Sequence, residues 1–408
     1  MGRSLTTGMT MVASAAMVIF MSACSSGEPA SPDSGYTHGH LVFTLNDSTS
    51  VRIPGHWQED TLWLSNAQET LALPPVDSSA STWSVPVFDG RITLSNDTGN
   101  WRDVLRPGDY RVPAQWQEGE GPSAVRSWGE DTLSWSLTFG EENPWNGQLF
   151  LQQSGTLCRG SIATSTGDFR HLHGTLEDGT LTLQTFDGAH LFQFTAEVGE
   201  RDNLQNGHFY SGHHYHTPFH GMPTESSALA LGDAPVAQWT GLPVAYSGTL
   251  LNGDSVQWNA ADAEGVHVLS VMGSWCPNCM DEHRLILRLL DRFPDLHIHT
   301  LAFERGLDRE GGVSAALDRL ERYAQHMGLD QYADRWTLQL VGPASKAVAQ
   351  SALPFLDRVV SFPTTIVVGP NQEAPWIHTG FNGPAMGPAY DAEVARFAAA
   401  ISGSSGSR

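Results

Sequence analysis

Short bursts of alternating apolar and polar residues run through the first half of the chain. His40-Leu41-Val42-Phe43-Thr44-Leu45, Thr61-Leu62-Trp63-Leu64, Thr132-Leu133-Ser134-Trp135-Ser136-Leu137 and Gly179-Thr180-Leu181-Thr182-Leu183 are separated by clusters of Gly, Pro, Asn and Asp. That period of two predicts half-buried strands. The expectation is an all-β domain over residues 37–225, a sandwich or barrel. Trp57, Trp63, Trp83, Trp101, Trp116, Trp128, Trp135 and Trp145 fall in it, and their bulk suits a core better than a ligand groove. A linker follows over residues 226–240, around Gly232-Asp233-Ala234-Pro235.

From residue 241 the pattern changes. Leu250-Leu251-Asn252-Gly253-Asp254-Ser255 reads as a hairpin around an Asn-Gly turn. The run Val266–Met272 reads as a buried strand, and Met280 to Leu290 has helical spacing. Residues 297–303 alternate like a strand, 313–327 carry helical periodicity, and 336–341 and 364–368 read as further strands. Alternating strands and helices predict an α/β domain over residues 241–402, with a mainly parallel or mixed sheet and a disordered tail at 403–408. The fold class expected is therefore two-domain, all-β followed by α/β.

The chemistry sits where the first α/β strand meets its helix, at Trp275-Cys276-Pro277-Asn278-Cys279. Strand, Cys-x-x-Cys, then helix places the first sulfur at a helix N-terminus, where unpaired N–H groups and the dipole favour a thiolate. The second cysteine lies within the first turn, close enough to form a disulfide with the first. A zinc site and an inert structural disulfide are the competing readings. Zinc normally requires further ligands at matching spacing, and the remaining cysteines are Cys24 and Cys158. Pro363 stands immediately before a β-branched strand, where a proline belongs at the first position or on an edge.

With these motifs, residues 235–402 resemble the TlpA/ResA-like redoxin class of thioredoxin-fold thiol:disulfide oxidoreductases. The matching residues are Trp275-Cys276-Pro277-Asn278-Cys279, Glu282 and Phe362-Pro363-Thr364. The resemblance implies a thioredoxin-like domain in which Cys276 is the nucleophile and Cys279 the buried resolving thiol. It also implies that Pro363 is a cis-proline facing the pair, that Phe362 offers its backbone to a bound partner, and that Trp275 covers the surface. Pro277 and Asn278 help to set the potential. Glu282 is either a buried acid serving the thiols or a helix-dipole partner. Residues 155–212 resemble the β-rich domain that precedes the redoxin module in lipoprotein members, through Ser165-Thr166-Gly167-Asp168-Phe169-Arg170 and two further motifs.

Residues 1–23 read as a signal peptide: Arg3, an apolar stretch, then Ser22-Ala23-Cys24. Cys24 resembles a lipobox cysteine, lipidated and followed by a Ser/Pro/Gly tether to residue 36. The implied location is the bacterial envelope, facing the periplasm and anchored to the outer membrane only through lipid. Partners would be protein disulfides and a membrane electron donor of the DsbD/CcdA type, with no cofactor. The formal charge of −22, with Lys346 as the only lysine, argues against nucleic acid and anionic membrane.

Two rival functions remain. One is a peroxidase, although Gly273 stands where peroxiredoxins place Thr or Ser. The other is copper or zinc handling by His208, His213, His214, His216 and His220, with His214 and His216 on one side of a strand.

Overall fold

A computed structural model describes residues 36–404, apart from 79–80, 107, 121–127, 130–131, 226–230, 232–234 and 371. The signal peptide, Cys24, the tether up to residue 35 and much of the linker lie outside the described residues. The described residues fall in one compact unit.

The all-β segment holds two sheets rather than the single sandwich or barrel expected. Residues 37–118 build an eight-stranded antiparallel sheet in which Thr37–Asn46 pairs with both Thr49–Gln58 and Arg111–Glu118. An isolated bridge between Pro75 and Trp83 brings its two ends together. Residues 133–223 form a closed antiparallel barrel, because Trp145–Ser154 pairs with Leu133–Phe139 on one side and Leu157–Thr164 on the other. Tyr215–Pro223 completes the ring against Leu133–Phe139. Closure removes the sheet edges. A short rim strand, Gly167–Asp168, pairs back onto Leu157–Thr164.

Period-two alternation aims every second side chain inward. Trp83, Trp101 and Trp116 are buried in the first sheet, and Leu149, Leu183, Phe194 and Phe209 fill the second. The sheets are joined where the barrel lends Phe186 and Leu191 to the core of the first sheet. Phe186 of the second barrel lies 4.9 Å, centroid to centroid, from Phe43 of the first sheet. Its backbone is clasped by buried Asn66, which donates to Phe186 O at 2.7 Å and accepts from Phe186 N at 3.2 Å.

The C-terminal part is a seven-stranded mixed sheet. Val266–Met272 lies beside Leu296–Glu304, and that strand beside Trp336–Pro343, all parallel. Thr364–Val368 runs antiparallel on the other side of Val266–Met272. Alternation sorts the two faces. Val268, Met272, Ile298 and Val367 meet the helices Pro277–Arg292, Gly312–Met327 and Pro388–Ser404. Leu269, Val271, Phe303 and Ile366 meet the short helix Lys346–Ala352 and the chain after it. The last helix reaches Ser404, so Gly403 and Ser404 belong to it rather than to the tail expected at 403–408.

One buried cation fastens all three parts. Arg170 is 1% exposed. It donates to Asp281 of the helix Pro277–Arg292 through Nε at 2.8 Å and Nη2 at 3.2 Å. It also donates to Glu69 of the first sheet at 2.6 and 3.1 Å. Asp187 of its own barrel stands 4.0 Å away. Although burial opposes ionisation of Asp281, Arg170 holds that carboxyl below the usual range. Removing one partner of such a group leaves the others charged and unpaired. Arg170→Met is therefore expected to lower unfolding stability by about 3–5 kcal/mol, read from the denaturant midpoint. A loss under about 1 kcal/mol, the scale of an exposed pair, would contradict this.

Candidate functional site

The strand Val266–Met272 is buried along its whole length and delivers the chain to Gly273-Ser274-Trp275. Cys276 then caps the helix Pro277–Arg292, with Pro277 at its first position, where the missing N–H costs no hydrogen bond. The amide of Cys279 donates to Cys276 Sγ at 3.3 Å, and the Cys276 thiol lies 3.5 Å from the carbonyl of Phe362. Both cysteines are free thiols, Cys276 6% exposed and Cys279 fully buried. Burial, then the neighbouring Cys276 sulfur, pushes the Cys279 thiol well above its usual range. The Phe362–Pro363 peptide is cis.

Trp275 donates from its indole nitrogen to Phe303 O at 2.9 Å, and the Phe362 ring meets it edge-on. The indole occupies the space over Gly273, where an added Cβ would come within 2.2 Å of Trp275 Nε1. A Thr or Ser at this position, as a peroxidase would need, has no room. The structure therefore places Cys276, Cys279, Trp275, Pro277, Phe362 and Pro363 at one locus, at the carboxyl end of the parallel strands.

Glu282 joins them from behind. It lies beyond the first turn of its helix and accepts no helix amide, so the dipole-partner reading fails. Its carboxyl is fully buried and accepts from Ser270 Oγ at 2.7 Å and from the hydroxyl of Thr365. Burial pushes it up to about 7, against those two hydrogen bonds. Ser270 has one proton and gives it to Glu282, so it accepts from His283 Nε2 at 3.1 Å. His283 Nδ1 is then left to accept from the Tyr323 hydroxyl at 2.7 Å. Burial lowers His283 to about 3 and keeps it neutral. Tyr323, His283, Ser270 and Glu282 thus form a hydrogen-bonded line whose donors all point toward the carboxylate.

Sequence reasoning missed the outer side of the site. Asn278, the second residue between the cysteines, donates to Asp168 O at 3.0 Å and to Asp168 Oδ1 at 3.1 Å. Asp168 is on the rim strand of the second barrel and also accepts from Gly383 N at 2.8 Å. Burial, then the charge of Asp281, pushes Asp168 up to about 7. The approach is tight: a Cβ on Gly167, whose φ is +132°, would sit 3.0 Å from Asn278 Nδ2. On the other flank, buried Glu304 accepts from Ser274 N and Oγ at 2.7 and 2.8 Å. Arg305 lies 4.4 Å over the Trp275 ring. The motif Ser165–Arg170 was visible in the sequence, but its contact with the cysteine helix was not.

The histidine loop does not converge. His208 Nδ1 faces His216 Nε2 at 3.0 Å, whereas His214 turns to the Tyr110 hydroxyl at 3.2 Å and His213 stacks on the Tyr110 ring. His214 lies in the turn before the strand Tyr215–Pro223, so it does not share a strand face with His216. Among the described residues no group of three or more His, Cys, Asp or Glu is arranged to hold a metal ion. Cys158 is buried on the strand Leu157–Thr164, and burial raises its thiol to about 11.

No family model matches the chain, and no curated protein does. Among solved structures, a thiol:disulfide interchange protein of the thioredoxin family from Chlorobium tepidum is 13% identical and is covered in full by 43% of this chain, with a TM-score of 0.28. The thioredoxin domain of a Bacteroides vulgatus thiol-disulfide oxidoreductase is 18% identical, with 41% of this chain and 99% of that chain aligned and a TM-score of 0.25. A peroxiredoxin-like protein from Aquifex aeolicus is 9% identical over 43% of this chain and 90% of its own, with a TM-score of 0.26. Similarities this low say nothing about the chemistry of this chain.

The position of Glu282 has a thermodynamic consequence. In the unfolded chain it ionises near 4.5, in the folded protein near 7. Between those values folding takes up a proton, so stability falls as pH rises through the window and the cost persists above it. Glu282→Gln is expected to remove on the order of 3 kcal/mol of that fall. Denaturant titrations of both proteins from pH 4.5 to 7.5 measure it; parallel curves would show that Glu282 does not titrate in this range.

Proposed function

We propose that the protein is a thiol:disulfide oxidoreductase that reduces protein disulfides through Cys276 and Cys279. The observation that carries the reading is a pair of free thiols at one helix N-terminus. The outer sulfur takes a hydrogen bond from the Cys279 amide and lies against the Phe362 carbonyl.

In the first step the Cys276 thiolate attacks one sulfur of a partner disulfide. A mixed disulfide forms and the other partner sulfur leaves as a thiolate, which is then protonated. Cys279 must lose its proton to react, and its burial makes this hard. Ionised Glu282, one turn along and poised near neutrality, is the acceptor this reading assigns. The Cys279 thiolate then attacks Cys276 Sγ, which forms the intramolecular disulfide and releases the second partner thiol. Two electrons have passed to the partner. A dithiol donor must return them, and a membrane transporter of the DsbD/CcdA type fits an enzyme facing the periplasm. Lipidation at Cys24 and an outer-membrane anchor belong to the same proposal and rest on the sequence of residues 1–36 alone.

Cys279→Ser should trap the mixed disulfide with oxidised protein substrates, whereas Cys276→Ser should abolish turnover. Both are read by non-reducing electrophoresis and an insulin reduction assay. Thiol trapping in graded dithiol buffers should give a two-electron potential near thioredoxin's, about −270 mV. A value near roughly −120 mV would reverse the direction to disulfide donation, and the absence of any reversible couple would remove the dithiol mechanism.

A further inference from the structure

A cleft of about 830 Å³ opens where the first sheet, the second barrel and the α/β part meet. Its volume is within the range of small-molecule and peptide-side-chain sites. Trp101, Arg106 and Tyr110 come from the first sheet, His190 and His214 from the second barrel, and residues 304–309 from the α/β part.

Three observations bear on what it holds. The first is position. Glu304 ends the strand Leu296–Glu304, and Pro343, also on the wall, ends Trp336–Pro343; the cysteines follow the neighbouring parallel strand Val266–Met272. Cleft and dithiol therefore share the carboxyl edge of the parallel strands, where α/β folds place their ligands. Arg305 forms the partition, with its guanidinium 4.4 Å over Trp275, next to Cys276.

The second is charge. Asp103 on the wall is engaged by Arg305 at 3.4 Å, and Glu304 by Ser274 and Arg319. Arg309 gives its guanidinium to the carbonyls of Val104 and Leu105, each at 3.1 Å. Arg106 lies 4.2 Å over the Tyr110 ring and makes no ion pair or side-chain hydrogen bond among the described residues. Arg106, Arg305 and Arg309 on the wall are matched in number by Asp103, Glu304 and Asp308, but Asp308 is exposed and forms no ion pair among the described residues, so Arg106 stands as a cation with unused donors in a chain whose formal charge is −22.

The third is chemistry. A half-buried guanidinium over an aromatic face, with its donors unused, is a carboxylate receptor in waiting.

We propose that this cleft binds the carboxylate-bearing part of the disulfide substrate, with Arg106 as the specificity-determining residue, so that the enzyme selects acidic peptide disulfides. The proposal rests on the oxidoreductase reading above. The substrate's acidic group would lie against Arg106 while its disulfide reaches Cys276 past Trp275. Each disulfide reduced takes two electrons from the Cys276–Cys279 dithiol, which becomes a disulfide and is re-reduced by a dithiol donor before the next turnover.

The test compares three disulfides with the full chain: oxidised glutathione (anionic), hydroxyethyl disulfide (neutral) and cystamine (cationic). The quantity read is the ratio of kcat/KM for glutathione disulfide to that for cystamine. Wild type should favour the anionic substrate, and Arg106→Glu should lower the ratio by on the order of tenfold or more, mainly through KM. Arg106→Gln should lower it less. Arg358→Glu makes the same charge change at an exposed residue away from the cleft, paired to Asp357 at 2.8 Å, and should leave the ratio as in wild type. An equal ratio in wild type and Arg106→Glu, or an equal fall in the Arg358 variant, overturns the cleft assignment. If wild type turns over none of the three disulfides nor insulin, the oxidoreductase reading fails and the assignment falls with it.

Discussion

A guanidinium with almost no access to water must be neutralised by what surrounds it, and this constraint organises the molecule. Arg170 belongs to the second barrel, yet its two strongest partners are Glu69 of the first sheet and Asp281 on the cysteine helix. Arg170 meets both carboxylates only when all three parts are in place, although Asp281 also accepts from Arg284 of its own helix at 2.7 Å. Desolvation raises the Glu69 carboxyl, and the charge and hydrogen bond of Arg170 work against it. The assembly is correspondingly cooperative: moving the cysteine helix away from the barrel would separate buried Arg170 from buried Asp281. A bare hydrophobic contact between the parts would have tolerated sliding. The ion cluster tolerates none, and it fixes the helix that carries Cys276 and Cys279 against the rim strand that carries Asp168.

The parts of this arrangement legible in the sequence are those determined by neighbours along the chain. Cys276 and Cys279 are three residues apart, and their role follows from the strand before them and the helix after them. Pro363 marks its strand by removing a donor. The period-two pattern revealed strands throughout residues 37–223, but not that they divide into two sheets, because closure depends on which distant strands pair. Thr37–Asn46 with Arg111–Glu118 and Leu133–Phe139 with Tyr215–Pro223 are pairings no local pattern states. The hub was illegible for the same reason: Arg170 is separated by 101 residues from Glu69 and by 111 from Asp281. Each of these side chains looks like an ordinary surface charge in sequence. The histidine loop shows the opposite error. Density along the chain suggested a cluster, but a tight turn sends His214 toward Tyr110 and leaves His216 with His208.

Two buried acids flank the cysteine helix, Glu282 on its inner side and Asp168 on its outer side, and burial brings both to about 7. Their partners differ in a way that separates their roles. Glu282 receives two hydroxyl donors and terminates the line from Tyr323, so a proton arriving there is held among groups that reorient without exposing charge. Asp168 receives the backbone amides of Gly383 and Arg170 and the side chain of Asn278, donors that hold their geometry. In the proposed mechanism the first exchanges a proton with Cys279. The second is placed to hold the loop between the cysteines still.

That stillness bears on how the dithiol meets a substrate. In a freestanding redox domain the residues between two such cysteines face solvent, and the partner alone decides the fit. Here Asn278 is tied to the barrel, Trp275 is covered by Arg305, and Arg305 is tied in turn to Asp103 of the first sheet. Cys276 is only 6% exposed, and its immediate neighbours Trp275 and Phe362 belong to the α/β part, while the β-rich part holds the next layer through Asp168 and Asp103. The β-rich half of the chain is therefore part of the geometry around the cysteines, and under the proposed oxidoreductase function the fit of a disulfide would depend on Arg170, Asp168 and Asp103 holding that geometry as well as on the cysteines themselves.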